Sequence, residues 1–147
     1  MEWHFKTFNE LTTQELYNIL KERVAVFVVE QECPYPEVDG HDVAAHHLYL
    51  EQDGKIAAYL RVLPQNTIYP EVSLGRVLVA KDFRGQGLAK ELIDRALRFV
   101  DEEWQVSTVK IQAQDYLRQF YGAFGFEPIS EVYLEDNIPH VDMKRTI

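Results

Sequence analysis

The residues with the clearest chemical potential are Arg84-Gly85-Gln86-Gly87-Leu88-Ala89. Gly85 and Gly87 lack a Cβ, so a turn there can gather several backbone N–H groups around an anion. An apolar run, Arg76-Val77-Leu78-Val79-Ala80, leads in, and an amphipathic segment from Leu88 leads out. Strand, turn and helix are expected, with the positive end of the helix dipole aimed at the same anion. A phosphate-bearing ligand is the natural guest. Two phosphate-binding alternatives fail on sequence. A Walker-type loop needs Lys-Ser or Lys-Thr after its last glycine, and Gly87 is followed by Leu88-Ala89. The dinucleotide fingerprint expects an early βαβ position and an acid on the next strand, whereas Thr108 to Gln112 carries none.

The elements that must hold this turn follow from periodicity and capping. Trp3 to Phe8 alternates apolar and polar residues as a half-buried strand does. Thr12 with Glu15 makes a capping box, and Leu16, Ile19, Leu20 and Arg23 then follow helical spacing. Val24 to Val29 is β-branched, but no turn separates it from that helix, so it reads as the buried helix end. Glu30 to Asp42 is broken by Pro34, Pro36 and Gly40 into a loop. Leu48 to Glu51 and Ile56 to Val62 flank Asp53-Gly54 as a hairpin. After a loop from Pro64 to Pro70, Glu71 to Ala80 reads as a strand, with Val77 to Val79 covered on both faces. Leu88, Leu92, Ala96 and Phe99 draw the stripe of a helix that ends near Trp104. Thr108 to Gln112 is a short strand. Asp115 is expected to cap a second helix, stopped at Gly125. Phe126 to Ile129, Glu131 to Leu134 and His140 to Lys144 supply closing strands.

A chain of 147 residues, with no repeat or linker, is expected to form a single domain, 1–147. Its formal net charge of −9 argues against a nucleic-acid partner and suits a cationic substrate. The single cysteine, Cys33, leaves no internal disulfide, and the N-terminus carries no apolar signal region. The longest apolar run, Val24 to Val29, is too short to span a bilayer. A cytoplasmic location away from any membrane is expected.

A second element stands downstream of the turn. Arg84-x-x-Gly87-x-Ala89 followed by Phe120-Tyr121-x-x-x-Gly125-Phe126 resembles the GNAT superfamily of acyl-CoA-dependent N-acetyltransferases. Val26 to Tyr35, Asp39-Gly40-x-Asp42, His46-His47-Leu48, Gly75-Arg76-Val77 and Ile138-Pro139-His140 resemble its ElaA-type branch. The resemblance implies a mixed α/β fold (α+β mixed): a mainly antiparallel sheet flanked by helices, with central strands splayed to admit pantetheine. It also implies that Val24 to Val29 is helical. The cosubstrate implied is acetyl-CoA, and the reaction is acetyl transfer to a primary amine by direct attack in a ternary complex. A CoA-binding regulatory or interaction module without activity, or an acyltransferase for a longer acyl chain, is the alternative.

The same resemblance implies the site. Backbone N–H groups of Gly85, Gln86, Gly87, Leu88 and Ala89 would hold the CoA pyrophosphate, with Arg84 at the rim. Leu78 and Val79 would pair with pantetheine like an extra strand, and an N–H of that strand would polarise the thioester carbonyl. Tyr121 matches the residue that protonates the departing thiolate in many members. Gln114 stands where the family commonly has Asn near CoA. An amine nucleophile must lose a proton, and Glu30, Glu71, His46, His47 and His140 are candidate bases, with Glu30 and His140 favoured by the branch resemblance. Each has a plain structural alternative: Glu30 as a surface charge at a helix end, His47 as a strand residue facing solvent, His140 as a turn residue bonding its own backbone. Glu32, Cys33, Glu37, Asp39, His41, Asp42, His46 and His47 match no zinc spacing, so no metal is expected. As an acidic loop they would draw a cationic amine or simply be solvated. The acceptor is a small-molecule or peptide amine, and the protein a monomer or homodimer.

Overall fold

The computed structural model describes residues 1–147. Eight strands form one sheet: β1 (Glu2–Thr7), β2 (His46–Gln52), β3 (Lys55–Leu63), β4 (Val72–Val79), β5 (Thr108–Gln114), β6 (Glu127–Pro128), β7 (Tyr133–Glu135) and β8 (Ile138–Thr146). The spatial order is β1-β2-β3-β4-β5-β8-β6, with β7 on β8. Every pairing is antiparallel except β4 with β5. The helices are α1 (Thr13–Val24), α2 (Leu88–Phe99) and α3 (Arg118–Gly122). No helix is long and apolar enough to cross a membrane.

The sheet has a helix layer on each face. On one, Leu92, Ile93 and Ala96 of α2 are fully buried against Leu60, Val62 and Val109. Each large aliphatic chain so buried contributes about 1.5–3 kcal/mol. On the other, Ile19 of α1 packs with Tyr49, Tyr59 and Leu78. The capping box at Thr12 and Glu15 forms as expected: Thr12 Oγ1 accepts from the Glu15 N–H at 3.1 Å, and Glu15 accepts from the Thr12 N–H at 2.8 Å. The β-branched run after α1 stays helical but widens into π-helical turns over Ala25–Glu30. Propagating an existing helix is easier than starting a strand, and Val26 and Phe27 pack against the α1-side cluster.

Two local expectations are corrected. Asp115 caps no helix through its side chain. Its carboxylate takes the Arg118 guanidinium at 2.7 Å, and a 3-10 turn over Asp115–Leu117 precedes α3. Val77 and Val79 are only half-buried, because β4 is bulged and its edge lines a cleft. Gly75 stands opposite Arg61 and Leu78 opposite Tyr59, so Arg76 and Val77 together face Leu60. The extra residue reverses the facing of the strand. Leu78 therefore joins the α1 side, while Val77 and Val79 turn to the α2 side.

Candidate active site

β4 and β5 pair only at Val72 with Val109 and Ser73 with Lys110, then part. Above Ser73 the β5-facing edge of β4 has no strand partner, and its N–H and C=O groups open into a cleft of about 620 Å³. Val77, Leu78 and Val79 line one wall; Ile111, Gln112 and Gln114 of β5 line the other.

At one end of the cleft lies the glycine turn. Gly85 and Gly87 adopt φ of 83° and 76°, the left-handed region where a side chain is strained. Gly87 is the N-cap of α2 and offers no side-chain acceptor to the first-turn N–H groups. Those donors are therefore available to an anion, reinforced by the helix dipole. Arg84 ties the turn to its surroundings: its Nε donates to the Val79 carbonyl at 2.9 Å, and its Nη atoms grip both Glu30 oxygens at 2.8 and 2.9 Å. The Arg84 hydrogen bond holds the Glu30 carboxyl below its ordinary value.

Tyr121, from α3, is 6% exposed and lines the cleft with no protein partner at its hydroxyl. Burial, aided by nearby Tyr116, pushes its phenol pKa up, so it stays protonated. His140 lies on β8 opposite Gln114 of β5, and both face the cleft. Its Nδ1 is 2.7 Å from the Ile138 carbonyl. A carbonyl only accepts, so Nδ1 carries the hydrogen and the neutral ring keeps its lone pair on Nε2. The backbone bond expected of His140 is present, but in a strand rather than a turn.

The other candidate bases stand apart. Glu71 is held by Lys144 at 2.9 Å. His46 packs among Phe5, Phe99 and Trp104, and burial lowers its pKa. His47, for which a strand position facing solvent was the structural alternative to a base, is fully buried, with Nε2 2.9 Å from the Asp42 carbonyl and Nδ1 2.6 Å from the Tyr59 hydroxyl.

The loop after α1 is also corrected. Glu37, Asp39 and Asp42 are not free to draw a cation or a metal, because three arginines neutralise them. Arg23, fully buried, donates to Glu37 at 2.8 Å and Asp42 at 2.7 Å. Arg61, 1% exposed, bonds both Asp39 oxygens at 2.9 and 2.6 Å and Asp42 at 2.9 Å. Arg76 reaches Glu37 at 2.6 Å. Burial alone would raise the Asp39 and Asp42 carboxyls, but the arginine contacts outweigh it and lower both. The sequence carried a signal for this network: Arg23 sits on the apolar stripe of α1 and Arg61 inside an apolar strand, and an arginine so placed must find partners. A different trio, Glu2, His4 and Glu51, brings ligand-type atoms within 4.8 Å of one another at the far edge of the sheet.

Comparison with known proteins places this geometry. A family model described as Acetyltransferase (GNAT) domain matches residues 9–147. The chain is 38% identical to the protein ElaA of Escherichia coli K12, covering 100% of this chain and 97% of ElaA. The crystal structure of E. coli ElaA superposes with a TM-score of 0.92, covering 99% of each chain. An acyl-CoA N-acyltransferase from Pseudomonas aeruginosa superposes at 0.93 with 42% identity, covering 99% of this chain and 100% of that one. With a matching family model over nearly its whole length and relatives that it covers end to end, the chain belongs to the GNAT acetyltransferase family.

Proposed function

We propose that this protein, acting as one domain over residues 1–147, transfers an acetyl group from acetyl-CoA to a primary amine. Attack is direct, within a ternary complex. The observation that carries the reading is the parting of β4 from β5. It leaves an open strand edge between an uncapped helix N-terminus and two groups suited to proton transfer. Gly85 to Ala89 hold the CoA pyrophosphate through backbone N–H groups, and Arg84 adds charge at the rim. Leu78 and Val79 pair with pantetheine, Gln114 faces it from β5, and a β4 N–H polarises the thioester carbonyl. That N–H strengthens its hydrogen bond as the oxyanion develops, which is commonly the largest catalytic contribution.

His140 takes the amine proton through the Nε2 lone pair, and the Tyr121 hydroxyl donates a hydrogen bond to the departing sulfur. Glu30 holds Arg84 in place; its two-point pair lowers its basicity, which argues against the base role. The acceptor, a small-molecule or peptide amine, enters from the Tyr69 and His140 end of the cleft.

The test measures thiol release from acetyl-, propionyl- and octanoyl-CoA against a panel of amines, with CoA binding followed by thermal shift. Acetyl-CoA should give the highest kcat/KM. His140→Asn should lower kcat/KM by about 10²- to 10⁴-fold and leave CoA binding within about twofold. Glu30→Gln should weaken CoA binding by a few-fold and leave kcat within about threefold. A large loss of kcat in Glu30→Gln, with His140→Asn unaffected, would exchange their roles. Stabilisation by ATP or NAD with none by CoA would overturn the reading.

A further inference from the structure

Arg76 is the one residue inside β4 with a left-handed backbone, at φ 53°. A bulge residue in that region is ordinarily glycine, because a Cβ is strained there. An arginine needs an outside hold, and the structure supplies one. Its Nε donates to Glu37 Oε2 at 2.6 Å, and its Nη2 donates to the Glu37 carbonyl at 3.1 Å. Its guanidinium lies 5.5 Å from the centre of the Tyr35 ring. Glu37 is itself fixed: Arg23 of α1 donates to the same carboxylate oxygen at 2.8 Å, and the Tyr35 hydroxyl donates to the other. Glu37 is 4% exposed. One buried carboxylate therefore links the helix α1, the loop and the bulge.

The geometry points to Glu37 as a positioning residue: by clamping Arg76 it holds the β4 bulge, and the bulge decides which β4 N–H faces the acyl carbonyl. This rests on the reading of the β4 edge as the place where the thioester is polarised. Along one edge of a strand only alternate residues present their N–H. Removing the extra residue would transfer that duty to a neighbouring residue, about 3.3 Å along the strand. A donor so displaced cannot reach the same carbonyl oxygen, whereas the pyrophosphate turn, on the other side of Val79, keeps its shape.

The test uses Glu37→Gln, Arg76→Gly, Arg76→Val and the double variant Glu37→Gln/Arg76→Gly. Glu37→Gln should lower kcat by about 10- to 100-fold with CoA affinity within about twofold, the split expected of a misplaced transition-state donor. Glycine holds the left-handed conformation unaided, so Arg76→Gly should lose only about threefold. Adding Glu37→Gln to Arg76→Gly should then cost less than about threefold more. Equal losses from Glu37→Gln in both backgrounds would overturn the proposal. If Glu37→Gln does not fold, the pair at position 76 decides. Valine should lose about 100-fold more than glycine, and equal rates would overturn the clamp. A readout without turnover separates this inference from the function it rests on. A strong HN–Hα nuclear Overhauser effect within Arg76, the mark of a positive φ, should be present in the wild type and lost in Glu37→Gln. An unchanged effect overturns the clamp even if no amine is ever acetylated; a wild type that binds CoA and transfers nothing overturns the function alone.

Discussion

A thiolate leaving CoA is a weaker base than the anion of a buried phenol. Burial and Tyr116 push the Tyr121 phenol pKa up, so complete transfer of its proton to the sulfur is uphill. In the proposed reaction the group acts instead as a hydrogen-bond donor that strengthens as negative charge gathers on sulfur. In that same proposal the proton of the attacking amine leaves by the other side, through His140. It follows that Tyr121→Phe should lower kcat by about 10- to 100-fold while CoA affinity stays within about twofold. Steady-state kinetics and CoA binding check both statements; a Tyr121→Phe enzyme with wild-type kcat would remove the tyrosine from the mechanism.

The elements that hold these residues were legible in proportion to how local their causes are. The capping box of Thr12 and Glu15, the Asp53-Gly54 hairpin and the glycine turn before α2 depend on neighbours in sequence, and all three form as read. The β4 bulge was not legible. A period-two pattern through Arg76-Val77-Leu78 has no mark of an inserted residue, and the device that stabilises it lies in Glu37, 39 positions away. The arginine network was half legible: the odd placement of Arg23 and Arg61 announces partners but does not name them. His47 was misread for the same reason, since its partners Tyr59 and Asp42 come from another strand and a loop. At this scale the turn before α2 offers a direct measurement. Gly87 holds φ 76° with open space where a Cβ would stand. Gly87→Ala should therefore cost about 1–2 kcal/mol through backbone strain rather than collision. Because the same residue shapes the anion turn, CoA affinity should fall with it. A thermal melt with and without CoA separates the two: the loss should be larger when CoA is present. An equal loss in both would show that the turn does not hold the cofactor.

Across the whole molecule, 24 acidic and 15 basic side chains leave a surplus of negative charge, yet the acids that matter most for the fold are the paired ones. Asp42 is buried and Asp39 half-buried against arginines that join α1, the following loop, β3 and β4. Glu15 links the start of α1 to the sheet. Burial alone would raise its carboxyl, but hydrogen bonds from Lys6, Tyr49 and Thr12 bring it down to about 2. All three carboxyls are depressed in the folded protein relative to the free values of 3.8 and 4.5. The unfolded chain therefore binds more protons in acid, and stability must fall as pH falls. The contribution is complete above about pH 5, begins to decline near 4.5, and continues to be lost as pH drops through the folded values. Breaking such pairs by protonation also leaves Arg23 and Arg61 as buried cations without counter-charge, which steepens the loss. Melting temperature should accordingly be level from pH 5 to 7 and drop steeply between pH 4.5 and 3. Glu15→Gln should begin with a lower melting temperature at pH 7 and show a shallower acid slope, because one linked proton has been removed. A wild-type melting temperature that stays level down to pH 3 would mean that these carboxylates are not what holds the loop and α1 to the sheet.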